Sequence, residues 1–136
     1  MDSLKFFLKE NKVERENVFF AATSSLKDEN GEALLWEIRR VNTAEDAKIR
    51  EACIKDSEKG MRIDYGLYMK KLAAASVVYP PLYNAQLQDS YSVTRPEDLI
   101  VELIDNPGEY QEFIRFIQKL NGFDVSLKEK VDEAKN

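Results

Sequence analysis

The chain has 136 residues, enough for one hydrophobic core without metals or disulfides. Its composition, 43% hydrophobic and 33% charged, is that of a globular protein rather than a disordered one. A net charge of −5 repels phosphate backbones and argues against a nucleic-acid partner. There is no histidine and one cysteine, Cys53, so Ser/His/Asp or Cys/His catalysis, a zinc set and an internal disulfide all lack their residues. Cys53 reads as a small buried residue on a helix, and a lone thiol fits a reducing cytosol. Asp2, Lys5 and Lys9 interrupt the N-terminal hydrophobes, unlike a secretory signal. The longest apolar run, Leu72 to Leu82, is too short for a bilayer and contains Pro80 and Pro81. The expectation is one soluble intracellular domain over 1–136, frayed from about residue 132.

Asp2 or Ser3 can cap a short helix over Leu4–Glu10, with Phe6, Phe7 and Leu8 on its apolar side. After a polar connector, Lys12–Asn17, the period changes to that of strands. Val18–Thr23 and Ala33–Val41 flank Asp28-Glu29-Asn30-Gly31, and Asn-Gly between such runs predicts a β-hairpin with Leu34, Trp36 and Ile38 on one face. A lone hairpin is marginal in water and must pack on something else. Thr43 opens a helix to about Lys55, with Asp46 near the capping-box position and Ala44, Ala47, Ala52 and Cys53 facing inward. Ser57–Arg62 reads as a loop. Asp64 caps a helix to about Val78, with an inner stripe of Tyr65, Tyr68, Leu72 and Ala75. Ala73–Ala75 permit close helix approach and read as core rather than as a groove.

Pro80-Pro81 stops that helix, and a short aromatic connector, Leu87 to Tyr91, follows. Thr94-Arg95-Pro96-Glu97 has the form of a capping box opening a helix through Ile104. Asn106-Pro107-Gly108-Glu109 supplies a cap, a first-turn proline and a first-turn carboxylate to a helix with Tyr110, Phe113, Ile114, Ile117 and Leu120 on one side. Asn121-Gly122 ends it. Trp36, Phe113, Ile117 and Leu120 are expected in the core. A last capping box, Ser126-Leu127-Lys128-Glu129, starts a helix whose apolar surface is only Leu127, Val131 and Ala134. The predicted class is α+β: an N-terminal β-hairpin packed with a mostly helical body of about six helices.

Two patterns mislead. Asp28, Asn30, Gly31 and Glu37 fall at positions of a calcium-binding loop, but Leu26 would sit at its first ligand position and the flanks are strand-like, so calcium is rejected. Tyr79, Tyr83 and Tyr91 could stack bases, yet Lys70, Lys71 and Arg95 are the only cations nearby and Asp89 intervenes. Anchoring in core and loops is the default for these tyrosines; a protein-recognition surface comes second. The 25 Asp and Glu residues lie at helix starts and on polar faces, so paired-carboxylate catalysis has no particular candidate, and the residues alone say "α+β binding domain".

The series of motifs says more than any one of them. Lys27-Asp28 with Gly31, Trp36-Glu37-Ile38, a proline after a hydrophobic helix (Pro80 or Pro81), Leu87 to Tyr91 reading LQDSY and Pro96-Glu97-Asp98-Leu99 follow in order. Gly108-Glu109-Tyr110, Asn121-Gly122-Phe123 and the end Glu133-Ala134-Lys135-Asn136 complete it. The whole resembles the PBSX-type (XkdN-like) phage tail assembly chaperone family. One departure is Ser92, where the family pattern leads one to expect glycine for a tight turn. The resemblance implies a non-enzymatic protein without cofactors, acting in the host cytoplasm and absent from the mature virion. Its implied partner is the tape measure protein, with other tail proteins as further partners, and it implies neither nucleic acid nor membrane. A structural tail or neck component is the alternative. It also implies that the end of the chain can mark a frameshift, since Ala134-Lys135-Asn136 can be encoded through the slippery heptamer A-AAA-AAC. Partner binding is expected on apolar surface at Tyr79, Pro80, Pro81, Leu82, Tyr83, Leu87 and Tyr91, and at Leu127 and Val131.

Overall fold

A computed structural model describes residues 3–123. Two three-residue strands, β1 (Val18–Phe20) and β2 (Trp36–Ile38), pair antiparallel with Phe19 opposite Glu37, and β5 (Val77–Tyr79) adds to the other side of β2. A second, two-stranded ladder joins β3 (Ile54–Ser57) to β4 (Gly60–Ile63). Between and after the strands run α1 (Thr43–Ala52), α2 (Tyr65–Ser76), α3 (Ala85–Ser90), α4 (Pro96–Leu103) and α5 (Pro107–Leu120). The α+β class and the hairpin stand. Of the about six expected helices, five fall among the described residues, which hold five α-helices and two short 3-10 turns, Leu4–Phe7 and Lys9–Asn11, the turns standing where the first helix is expected. The last expected helix, from Ser126, lies outside them.

The hairpin turn works as its residues require. Asp28 accepts from the backbone N–H of Asn30 (2.8 Å) and of Glu32 (3.0 Å) through its side chain, and Gly31 takes φ +80°. Asp28 is thereby occupied as a turn residue, and the positive φ falls on Gly31 while Asn30 keeps an ordinary one. Leu34 departs from the expected inward face and is exposed, because the regular ladder does not begin until Trp36.

α2 is the centre of the molecule and packs against α1, α4, α5 and β5. Leu72 and Ala73 are fully buried beneath Leu99 and Ile100 of α4, and α5 brings Phe113, Ile114 and Ile117. Trp36 meets Phe113 edge-on at 5.7 Å, and Phe20 stacks on Phe116 at 4.2 Å. The expected burial of Trp36, Phe113 and Ile117 is observed, and Leu120 is half-buried. Each such side chain contributes about 1.5–3 kcal/mol on leaving water, which fixes the sheet on the helices.

Several local expectations change. The α1 cap is Asn42, in a full capping box with Glu45 rather than Asp46. Ala44, Ala47 and Ala52 are exposed, and the helix turns Ile49 and Cys53 inward. The stretch Ser57–Arg62 belongs largely to the β3–β4 hairpin, not to a plain loop. Tyr65 is exposed and Ala75 half-buried, so the α2 stripe is Tyr68, Met69, Leu72 and Ala73. Leu87–Tyr91 is not a connector but most of α3, capped by the Asn84 side chain on the Leu87 N–H at 2.8 Å. Thr94-Arg95-Pro96-Glu97 forms no capping box: Arg95 is the cap residue without a side-chain bond, and Glu97 is buried beside Lys71 at 3.4 Å.

Candidate functional site

The outer face of the three-stranded sheet is where apolar side chains are left without a covering layer. Side chains alternate along strands and share a face across them. Val18, Phe20, Trp36 and Ile38 point to the helices. Phe19, Glu37 and Tyr79, aligned across β1, β2 and β5, form the outer row. Phe19 and Tyr79 are each 63% exposed, and Leu35, just before β2, is equally open. Glu37 is held in the row by the Asn17 side chain, which donates to its Oε2 at 2.8 Å.

The β5 edge carries a bulge. Glu37 pairs with Tyr79 and Ile38 with Val77, which leaves Val78 as the extra residue. Bulges re-aim side chains, and here both Val78 and Tyr79 are exposed. The Tyr79–Pro80 peptide bond is cis. Beyond it, Tyr79, Pro80, Pro81 and Leu87 converge on one groove of about 370 Å³, closed by Asn84 and Gln86. Tyr83 is 79% exposed and lines a separate groove with Lys48, Ala75 and Pro96. Leu82 is a core residue at 2% exposure, so it steadies the ridge from beneath and presents no surface. Gln88 ties the ridge to α3 by donating to the Leu82 carbonyl at 2.8 Å. Tyr91 is half-buried against the core and lines neither groove. Leu127 and Val131 lie outside the described residues. Phe19 and Leu35, which sequence reasoning did not single out, belong to the surface. The available signal was the parity of the hairpin, which puts Phe19 opposite in face to Phe20.

The charged groups here build the scaffold. Glu109, in the first turn of α5, accepts from Thr23 Oγ1 (2.8 Å) and from the Ser24 N–H (2.9 Å). These bonds clamp the segment after β1 to α5 and hold the Glu109 carboxyl below the usual carboxylate range. Arg39 donates to both Glu45 oxygens, at 3.1 and 2.6 Å, and lowers that carboxyl too. The Tyr68 hydroxyl donates to Asp46, whose other oxygen accepts from Arg50 at 2.8 Å. Burial, with the Asp46 bond, pushes Tyr68 up to about 12. Burial likewise pushes the Cys53 thiol up, which disfavours the thiolate a nucleophile needs. Among the described residues no cluster of acids and cysteine could hold a metal ion, and no helix is long and apolar enough to cross a membrane.

Comparison with known proteins agrees with these motifs. The family model described as "Phage XkdN-like tail assembly chaperone protein" matches residues 4–135. The chain is 21% identical over 138 aligned positions to the "Phage-like element PBSX protein XkdN" of Bacillus subtilis (strain 168), covering 98% of this chain and 93% of that one. It is 23% identical, over the same shares, to YqbN of the same strain. A crystal structure of YqbN matches with a TM-score of 0.79 at 18% identity, over 91% of this chain and 99% of that one, which shows a common fold. With the family matched over nearly its whole length, the chain belongs to the phage XkdN-like tail assembly chaperones, and its role lies in phage tail assembly.

Proposed function

We propose that this protein binds the tape measure protein of its phage in the host cytoplasm, keeps it assembly-competent during tail morphogenesis, and is left out of the finished virion. It acts by binding, without catalysis or cofactor. The supporting observation is the set of exposed apolar side chains on the outer sheet face, Phe19, Leu35 and Tyr79, beside the Pro80–Pro81 groove. Exposed apolar side chains gathered on one face, here on either side of Glu37, mark an interaction site. Tyrosine, proline and aliphatic side chains suit docking of an apolar client segment, and aromatic anchors carry most of the binding energy at such sites. The acidic net charge of −5 keeps a complex with an apolar client in solution.

Co-expression with the tape measure protein tests this. The client is expected to stay in the soluble fraction and to co-purify. The double variant Phe19→Asp, Tyr79→Asp should lose capture while keeping its own melting temperature, since both side chains are exposed. Capture unchanged by the double variant would refute the surface. Stoichiometric recovery of the protein in purified virions would refute the chaperone role and favour a structural tail or neck component.

A further inference from the structure

A second groove, away from the aromatic ridge, joins an apolar floor to a cationic rim. Phe116, Leu120 and Gly122, at the end of α5, form the floor of a cleft of about 420 Å³, and Arg15, Arg40 and Lys119 stand around it. The chain as a whole is acidic, at −5, yet none of these three cations makes an ion pair among the described residues. Arg40 is steadied by donating to the Glu16 carbonyl at 2.7 Å, which leaves its charge unneutralised. The negative end of the α5 dipole favours one cation here, Lys119. It does not require Arg15 and Arg40, which arrive from the segments flanking β1 and β2. The Ile117, Gln118 and Lys119 carbonyls near the end of α5 are already satisfied. Gly122, at φ +84°, donates to the Lys119 carbonyl at 3.1 Å, and Phe123 donates to that of Gln118 at 2.9 Å. Asn121 donates to the Ile117 carbonyl through both its backbone (3.1 Å) and its side chain (2.9 Å). Among the described residues, then, no carboxylate pairs with these cations.

We infer that this groove docks a helical segment of a partner protein whose apolar stripe is flanked by carboxylates. The floor takes the apolar stripe of a short helix, and the rim selects Glu or Asp on either side of it. A phosphate backbone fits less well, because it offers nothing to the apolar floor and meets an acidic protein. This deepens the chaperone reading, on which it rests for the identity of the partner as a segment of the tape measure protein.

The probe is a synthetic helix with leucines at i, i+3, i+4 and i+7 flanked by glutamates; its control carries glutamines instead. Binding to the full chain is read by fluorescence anisotropy and by amide shift mapping. The glutamate helix is expected to shift the Phe116, Lys119, Leu120 and Gly122 amides and to bind roughly tenfold tighter than the glutamine helix at low salt. Arg15→Glu, Lys119→Glu should erase that preference with an unchanged melting curve, since both side chains are exposed. Equal binding of the two helices, shifts confined to Phe19 and Tyr79, or tighter binding of a single-stranded RNA oligonucleotide at the same amides would each overturn the inference. Capture of the tape measure protein separates the two ideas. Equal capture by wild type and the double variant removes the groove and leaves the chaperone reading. No capture by either, with the glutamate helix still bound, removes the chaperone reading and leaves the groove.

Discussion

Ser92 offers a test of backbone strain at a single exposed position. It is the non-glycine described residue with a positive φ, +58°, placed where α3 gives way to the segment before α4. Its N–H donates to the Asp89 carbonyl at 3.0 Å, and the next residue, Val93, reaches back to Gln88 at 3.1 Å, so the turn is fixed by backbone bonds that any residue can make. The Ser92 side chain is exposed and makes no hydrogen bond, so removing it loses little in the folded state. A residue with a Cβ is strained in this conformation by about 1–2 kcal/mol, whereas glycine is not. Glycine gives back about 0.4–1 kcal/mol through the greater freedom of its unfolded chain. Ser92→Gly should therefore stabilise by about 0.5–1 kcal/mol. For a chain of this size that is roughly 2–4 °C in melting temperature. Ser92→Ala is the control, since alanine keeps the Cβ and the strain, and it should change stability by less than about 0.5 kcal/mol. Urea denaturation of the three proteins, compared at equal m-values, reads the difference. A glycine variant no more stable than the alanine variant would refute the reasoning.

Truncating Phe113→Ala should cost about 3–5 kcal/mol, because the side chain is fully buried between Trp36 and Phe20; urea unfolding followed by Trp36 fluorescence measures it, and native stability with lost client binding would mark Phe113 as interface. Glu109 and Glu45 both have carboxyls held below their usual value of 4.5 in the folded state. Depressed acids stabilise above their unfolded pKa and lose that contribution as pH falls through the folded one, so stability should decline as pH drops below about 4.5. Glu109→Gln should lower stability at pH 7 and flatten that acid limb, which a pH series of denaturation midpoints tests. An acid limb unchanged in the variant would show that the Glu109 clamp on Thr23 and Ser24 is idle.

What the sequence made legible was what short-range chemistry decides. Asn106 and Asn121-Gly122 bracket α5 as read, and the Gly122 and Phe123 bonds at its end are those expected of a glycine-terminated helix. Asp28 and Gly31 place the hairpin turn for the same reason. Elements with weak patterns were missed. α3 is six residues long, and its one local signal was Asn84 three positions before Leu87. β3 and β4 are exposed along their whole length, so no alternation of burial marks them, and Gly60 at φ +103° is their clearest sign. Alanines misled in α1, since a small side chain fits either face; Ile49 and Cys53 decide which side turns inward. Glu97 shows tertiary context overriding a local motif. Its sequence position suits a capping box, but α4 lies on α2, and the carboxyl is drawn to Lys71 instead.

The candidate surface was legible only in part, and the reason lies in where the shared motifs fall. Trp36 and Ile38 of the strand motif are buried, Glu109 of Gly108-Glu109-Tyr110 clamps Thr23 and Ser24, and Asn121 of Asn121-Gly122-Phe123 accepts from the Val41 N–H at 2.8 Å. Gln88 of the LQDSY run holds the Leu82 carbonyl. These motif residues thus secure junctions between elements and belong to the scaffold, whereas Pro80, Pro81 and Leu87 of the series line the exposed groove. The exposed side chains that could meet a client, Phe19, Leu35, Tyr83, Arg15 and Lys119, stand beside or between those motifs. Scaffold positions are constrained by neighbours within the chain, while surface positions are constrained only by the partner. At 21–23% identity to XkdN and YqbN, a common fold can therefore carry different client-facing residues. Client choice within this family should accordingly follow the sheet face and the cationic groove. Exchanging those exposed residues with the aligned ones of a relative should move client preference while leaving the melting temperature in place.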